Sequence, residues 1–347
     1  MATLSDAYKV IPMTLKHIIP PDFESLKRVP DSHVWPQTDV DLPLQDDDEK
    51  PERSIPVIDL MAPNAVELIG HACEDWGAFQ LTNHGISTNL IDEVESQARR
   101  LFVLPTIEKL KVLRSTDGMT GYGASRMAQS FPKLLWHEGF TIMGSPLHHA
   151  QQLWPHDHQV FCDLMENYQK KMKELAHQLL LVMLKWLQVS EEDLKWTFSM
   201  AQGSLQLNSY PACPNPKSTI GLAPHTDTML VTILHQSDPG LQIFNGKSRS
   251  WVTVLPVAGA LVVNLGNLLQ IFSNGKFQSA MHRALVNQYR HRISMAYFYV
   301  PPADSMVGPF ARFERPVYRT LVLKEYLQIR HEHREDSLSV IRIDDED

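Results

Sequence analysis

The side chains best suited to chemistry lie in the later part of the chain: His225-Thr226-Asp227, then His282, then Arg292-Ile293-Ser294. In extended backbone, residues i and i+2 point to the same face, so His225 and Asp227 present an imidazole and a carboxylate together. His282 follows at the start of another β-prone run, Met281-His282-Arg283-Ala284. Two histidines and one carboxylate on a β-scaffold make the facial triad that holds non-haem Fe(II) and leaves coordination positions open. The competing reading of the same residues is a buried, hydrogen-bonded His and Asp. Arg292 offers a rigid fork for a carboxylate, and Ser294 points the same way along its strand. A 2-oxo acid can then chelate iron through its keto-acid end while its far carboxylate meets Arg292 and Ser294. Upstream, Asn208 and Tyr210 put two more polar side chains on one face of a strand.

Those residues need strands beneath them, and the texture from about Ser204 onward supplies them. β-prone runs recur at Leu205–Tyr210, Leu230–His235, Leu241–Phe244, Trp251–Val254, Ala260–Asn264, Ala280–Asn287 and Arg292–Val300. Turn residues such as Asp238-Pro239-Gly240, Asn245-Gly246 and Asn274-Gly275 separate them, a spacing that predicts a β-sandwich or jelly roll rather than βαβ units. The earlier half reads differently. Ile55–Leu60 is a short strand, residues 63–82 a helix then a strand, and residues 88–102 a helix that Pro105 ends. A long helix is expected over 157–187, with His156-Asp157-His158 as an Asp-centred cap at its start. Ser190-Glu191-Glu192-Asp193 resembles a capping box. Residues 113–157 have no clear period, residues 37–54 read as an acidic linker, and the tail from Arg330 reads as a solvated C-terminus. The expected division is therefore an N-terminal segment with linker (1–54), a helical region (55–200), a jelly-roll core (201–302) and a C-terminal helix with acidic tail (303–347).

Composition narrows the function classes. The 347 residues carry a formal net charge of −8, which leaves no basic face for a phosphate backbone and argues against nucleic-acid binding. The three cysteines are scattered and form no CxxC, so a disulfide framework is not expected. No apolar run approaches the ~20 residues that span a bilayer, and the first residues show no secretory h-region. A cytoplasmic monomer without membrane contact is the plain expectation. The 16 histidines stand out against this background, and all but His225 and His282 read as surface, turn or packing residues.

The wider wording around these residues resembles the plant Fe(II)- and 2-oxoglutarate-dependent dioxygenases. It includes Asn208-x-Tyr210-Pro211-x-Cys213-Pro214, Gly221-Leu222-x-x-His225-Thr226-Asp227, Val263-Asn264-x-Gly266, His282-Arg283-x-x-Val286-Asn287 and the N-terminal Trp76-Gly77-x-Phe79-Gln80-x-x-Asn83-His84-Gly85. The resemblance implies a double-stranded β-helix (jelly roll) core flanked by α-helices, mainly β with a helical N-terminal half. It implies that His225, Asp227 and His282 hold Fe(II), and that Arg292, Ser294 and Tyr210, with Asn208 beside them, bind the co-substrate 2-oxoglutarate. The resemblance further implies oxygen as the oxidant, ascorbate as the supporting reductant, and succinate and carbon dioxide as co-products.

The middle segment is similar to the gibberellin 3-oxidases, through Ser115–Gly123, Ser130–Thr141, Gly144–Leu147 and Leu153–Pro155, as is Val29–Trp35. That similarity implies hydroxylation of a gibberellin precursor at C-3 to a bioactive hormone. It makes Tyr122, Arg126, Phe131 and Trp136 candidates for the pocket of a rigid, mostly apolar diterpenoid carboxylate. Two positions depart from the pattern: Asn267 stands where relatives commonly carry Asp, and Gln270 where 3-oxidases often carry His. A gibberellin 2-oxidase or 20-oxidase, a flavonoid dioxygenase, and a non-catalytic gibberellin-binding protein on the same fold are the alternatives.

Overall fold

The computed structural model describes residues 12–36 and 54–343, so the acidic linker expected over 37–54 and the end of the acidic tail lie outside the described residues, Ser54 apart. Alternation builds the main sheet. Strand β5 (Gln202–Tyr210) buries Leu205 and Leu207 on one face and turns Ser204, Gln206, Asn208 and Tyr210 to the other. Strand β12 (Arg292–Val300) does the same, with Ile293, Met295, Tyr297 and Tyr299 opposed to Arg292, Ser294, Ala296 and Phe298. The two pair antiparallel with Arg292 opposite Tyr210 and Ser294 opposite Asn208.

Around this pair lie β1 (Val57–Asp59), β2 (Ala78–Thr82), β3 (Gly121–Gly123), β4 (Glu138–Ile142), β7 (Val231–Gln236) and β10 (Leu261–Leu265). Among the described residues they form one sheet in the order β1-β2-β10-β7-β12-β5-β4-β3, antiparallel except for β1 and β2. A smaller antiparallel sheet runs β6 (Leu222–His225), β11 (His282–Ala284), β8 (Leu241–Asn245), β9 (Ser250–Thr253). The two sheets enclose a cavity, the arrangement expected of a jelly-roll core.

Helices cover the other face of the main sheet. They are α1 (Ala65–Asp75), α2 (Thr88–Phe102) and α3 (Gln159–Leu187). The α3 stripe Phe161, Met165, Tyr168, Met172, Leu175, Leu179, Met183 is fully buried, in one core with Leu205, Leu207, Ile293 and Met295. Gln188 in the left-handed conformation ends the helix. Its start differs from the expected cap: His158 makes no capping bond, and the Asp157 carboxylate is taken by Arg100 at 2.7 Å. The Ser190–Asp193 capping box is present.

Two further findings revise the sequence reading. Residues 113–157, without period, contribute the sheet-edge strands β3 and β4. Glu138 on β4 is buried but matched by Lys109 Nζ (2.8 Å), the Tyr122 hydroxyl (2.5 Å) and Ser209 Oγ (3.0 Å). The C-terminal segment is not simply solvated: in α5 (Leu323–His333), which follows α4 (Asn267–Phe272), Leu323, Tyr326 and Leu327 are buried.

Several of the many histidines are packed inside. Burial pushes His33, His137 and His291 each down to about 4; burial, with the His282 imidazole adding to it, takes His225 to about 3. Their folded pKa values lie below the ordinary value near 6.5, so the unfolded chain binds protons that the folded chain refuses. Stability is therefore expected to be full above about pH 6.5 and to fall as pH drops toward about 4, with a slope of at least ~1.4 kcal/mol per pH unit, that of a single such proton. Denaturant titrations at pH 7, 6 and 5 measure this, and an unchanged unfolding free energy contradicts it.

Candidate metal centre and active site

Three ligand atoms, one each from His225, Asp227 and His282, lie within 4.8 Å of one another, the one such cluster found among the described residues. Strand pairing makes the cluster: His282, first in β11, sits directly opposite His225, last in β6. Each imidazole is oriented through its far nitrogen. His225 Nδ1 meets the Ala223 carbonyl at 2.8 Å and His282 Nδ1 meets that of Ala280 at 2.9 Å. A carbonyl only accepts, so both Nδ1 atoms carry a proton and each Nε2 is the ring atom turned toward the cluster.

Asp227 is oriented in the same way. Its Oδ2 accepts from Thr232 Oγ1 (2.5 Å) and Asn264 Nδ2 (2.7 Å), which leaves Oδ1 at 3.7 Å from His225 Nε2 and 3.9 Å from His282 Nε2. Burial alone raises this carboxyl's pKa. The two imidazoles and the two hydrogen bonds outweigh burial and hold it below the usual range. Two imidazole nitrogens and one carboxylate oxygen on one face are the donor set of the non-haem iron triad. Gly266 makes room for the turn: a Cβ there would stand 2.1 Å from the Met229 carbonyl oxygen and 2.8 Å from that of Asp227.

Across the cavity stands Arg292, 2% exposed. Its Nε donates to the Asp238 carbonyl (3.0 Å) and its Nη2 to Gln236 Oε1 (3.0 Å), while Nη1 has no partner. Both acceptors are neutral, and the nearby Asp238 carboxylate, which pairs with Arg290, favours the guanidinium's charge without accepting from it. Burial lowers its pKa, against the Tyr210 phenol, whose ring lies 4.9 Å from the guanidinium carbon. A buried cation with a free donor fits an anionic ligand. Ser294, next on the same face, accepts from Asn208 Nδ2 (3.3 Å), and Asn208 Oδ1 meets His137 Nε2 (3.0 Å). Asn208 thus stands both on the cavity wall and behind Ser294.

The cavity, about 400 Å³, is lined by all seven of these iron and 2-oxo-acid candidates. Of the four substrate candidates, Arg126 and Phe131 line it and Tyr122 and Trp136 do not. These two are fully buried elsewhere. The Tyr122 hydroxyl is spent on Glu138, and Trp136 packs at a tilt against Phe23 (centroids 4.8 Å apart) with its Nε1 donating to the Pro211 carbonyl. Strand alternation could have found four wall residues that were missed: Ser204 and Gln206 share a face with Asn208, and Ala296 and Phe298 share one with Ser294. Leu327 and Arg330 on α5 carry no comparable local signal.

The two departures sit behind the site, not in it. Asn267 Nδ2 donates to the Tyr326 hydroxyl (2.8 Å) and its Oδ1 accepts from Ser279 (2.7 Å), a donor-acceptor pair that a carboxylate does not offer. Gln270 donates to Tyr318 and accepts from the Ser279 amide.

Comparison with known proteins agrees with this geometry. The 2OG-Fe(II) oxygenase superfamily matches residues 201–301, and the family described as the N-terminal part of a non-haem dioxygenase in morphine synthesis matches 55–160. Gibberellin 3-beta-dioxygenase 1 of Pisum sativum is 45% identical, with 99% of this chain and 94% of that protein covered. Gibberellin 3-beta-dioxygenase 1 of Arabidopsis thaliana is 44% identical, covering 98% of each. Among solved structures, JOX2 in complex with 2OG, Fe and JA superposes with a TM-score of 0.77 at 26% identity, covering 92% of this chain and 95% of that one.

Two substitutions test the site. His225→Ala and Asp227→Ala are each expected to abolish 2-oxoglutarate turnover, and normal turnover in either removes that residue from the metal centre. Arg292→Leu is expected to raise the KM for 2-oxoglutarate at least tenfold, in line with losing a charge-assisted hydrogen bond of roughly 1.5–3 kcal/mol. An unchanged KM places the anchor elsewhere.

Proposed function

The chain belongs to the 2OG-Fe(II) oxygenase superfamily, and from that premise we propose that it hydroxylates a gibberellin precursor at C-3, on the β face, to give a bioactive gibberellin with succinate and carbon dioxide as co-products. It is a 2-oxoglutarate-dependent dioxygenase. The observation that carries the substrate assignment is identity of 43–45% with named gibberellin 3-beta-dioxygenases along nearly the whole chain, including the cavity-forming segments outside the catalytic core.

In this reading His225, Asp227 and His282 hold the iron, and Arg292, Ser294 and Tyr210, backed by Asn208, hold the far carboxylate of 2-oxoglutarate. Bound iron, 2-oxoglutarate and O2 supply the oxidative decarboxylation that is coupled to hydroxylation. The chain itself supplies orientation and exclusion of water. The fixed tautomers of the two histidines keep their Nε2 atoms available. The Asp227 carboxylate, spent on one oxygen, presents the other. Phe131, Met127, Leu222 and Phe298 give an apolar wall and Arg126 gives positive charge, which together suit a rigid apolar diterpenoid bearing a carboxylate. Placement of one C–H bond against the metal decides which carbon is oxidised. A monomeric cytoplasmic enzyme with ascorbate as reductant completes the proposal; no helix among the described residues is long and apolar enough to cross a membrane.

The test is incubation with labelled gibberellins unsubstituted at C-3, plus Fe(II), 2-oxoglutarate and ascorbate, with products identified by mass spectrometry. A 3β-hydroxylated product matched by succinate is expected. Oxidation at C-2 or C-20 reassigns the enzyme to a 2-oxidase or 20-oxidase activity, and gibberellin binding without 2-oxoglutarate consumption makes it a non-catalytic binder.

A further inference from the structure

We propose that the C-terminal segment is part of the support of the metal site, with Glu335, braced by Arg330, acting as a positioning clamp on the turn that carries His225 and Asp227. The inference rests on the iron-site reading above and adds residues to it that lie far from the triad in sequence.

Thr226 is the residue between the two ligands, and all of its hydrogen-bonding groups end on the C-terminal segment. Its N–H donates to Glu335 Oε2 at 3.1 Å, and its hydroxyl donates to the same oxygen at 2.8 Å. Its carbonyl accepts from Arg330 Nη2 at 2.8 Å, and that nitrogen also donates to Glu335 Oε1 at 2.6 Å. The two partners lie 104 and 109 positions away in sequence. The Thr226 N–H belongs to the peptide plane that ends at the His225 Cα, and the Thr226 carbonyl to the plane that ends at the Asp227 Cα. Peptide units are planar and stiff, so holding both groups orients both ligand-bearing carbons at once.

A second fastening reaches the same turn from its other side. The Asn267 N–H donates to the Asp227 carbonyl at 2.8 Å, and the Leu268 N–H to the Thr228 carbonyl at 3.1 Å. Asn267 is in turn tied to Tyr326 of α5 at 2.8 Å. The helix can bear this load, because Leu323, Tyr326 and Leu327 are buried in the core. Arg334 precedes Glu335 with φ +54° and ψ −124°, a conformation that a non-glycine residue adopts only under constraint. The Arg330 guanidinium donates to the Arg334 carbonyl and holds that bend.

Residues that orient metal ligands from behind change metal affinity by about 10- to 100-fold when removed. The experiment titrates the full-length, metal-free protein with Co(II), following the visible absorption of the bound ion, and records the thermal midpoint of the same metal-free samples. Wild type is expected to bind with a defined spectrum. Glu335→Ala is expected to bind Co(II) about tenfold more weakly with an altered spectrum, and Glu335→Gln, which keeps an acceptor oxygen for Thr226, to recover most of that loss. Thr226→Ala is expected to weaken binding in the same direction, and the double variant with Glu335→Ala to lose less than the product of the two. Should Glu335→Ala not fold, the Gln and Thr226→Ala variants carry the comparison. Wild-type affinity and spectrum in these variants, whether or not the thermal midpoint drops, reduces the contact to ordinary packing and overturns the clamp. Failure of the wild type to bind Co(II) at all overturns the iron-site reading itself, and the clamp with it.

Discussion

A strand displaced by one residue turns every side chain to its other face, and both halves of this site depend on pairings that such a slip would destroy. On the smaller sheet, His282 faces the cavity because β11 is in register with β6 at His225. On the larger, Arg292 and Ser294 face it because β12 is in register with β5 at Tyr210 and Asn208. The same pleat that points these groups inward points Ile293, Met295, Leu205 and Leu207 outward against α3. Apolar packing on the back of the sheet and polar chemistry on its front are therefore one fact. Burial of the α3 stripe pays for a register in which the functional residues have no alternative orientation.

Charge follows a similar economy. The buried carboxylate of Glu138 is saturated by Lys109, Tyr122 and Ser209. Inside the cavity the matching is incomplete: Arg292 has neutral acceptors and one donor to spare, and the triad turns two imidazole nitrogens and a carboxylate oxygen toward the same space. A buried guanidinium with a spare donor and a set of metal-ligating atoms facing one cavity suit an anion and a cation that complete the interior.

Much of this was legible in sequence because it is written in short-range patterns. His225-x-Asp227 and Arg292-x-Ser294 declare shared faces through the two-residue period, and the strands from Gln202 to Val300 are punctuated by turn residues. What was not legible depends on partners distant in sequence. Strands β3 and β4 are short, Gly-bearing and recruited by the edge of β5, so residues 113–157 carry no period of their own. Tyr122 and Trp136 have the composition of pocket residues, but Glu138 and Pro211 claim their polar tips. The stretch Arg330–Asp336 has the composition of a solvated tail, yet Thr226, more than a hundred residues earlier, turns it into part of the site.

His225, His282, Arg292 and Ser294 stand on strands of the two sheets and Asp227 on the turn after β6, whereas Met119, Arg126, Met127 and Phe131 come from the irregular segment before β4 and Leu327 and Arg330 from the C-terminal helix. Part of the cavity's shape is thus encoded apart from the chemistry, although Leu222, Ala296 and Phe298 form wall on the same strands that carry the site. Substitutions in the irregular segment can remould the space offered to a guest while the oxidising apparatus is inherited intact, so a lineage can change the molecule it modifies without passing through an ancestor that has lost the reaction. Where wall and site share an element, as on β12 with Phe298 or on the C-terminal helix with Arg330, novelty in shape carries a cost in the reaction itself.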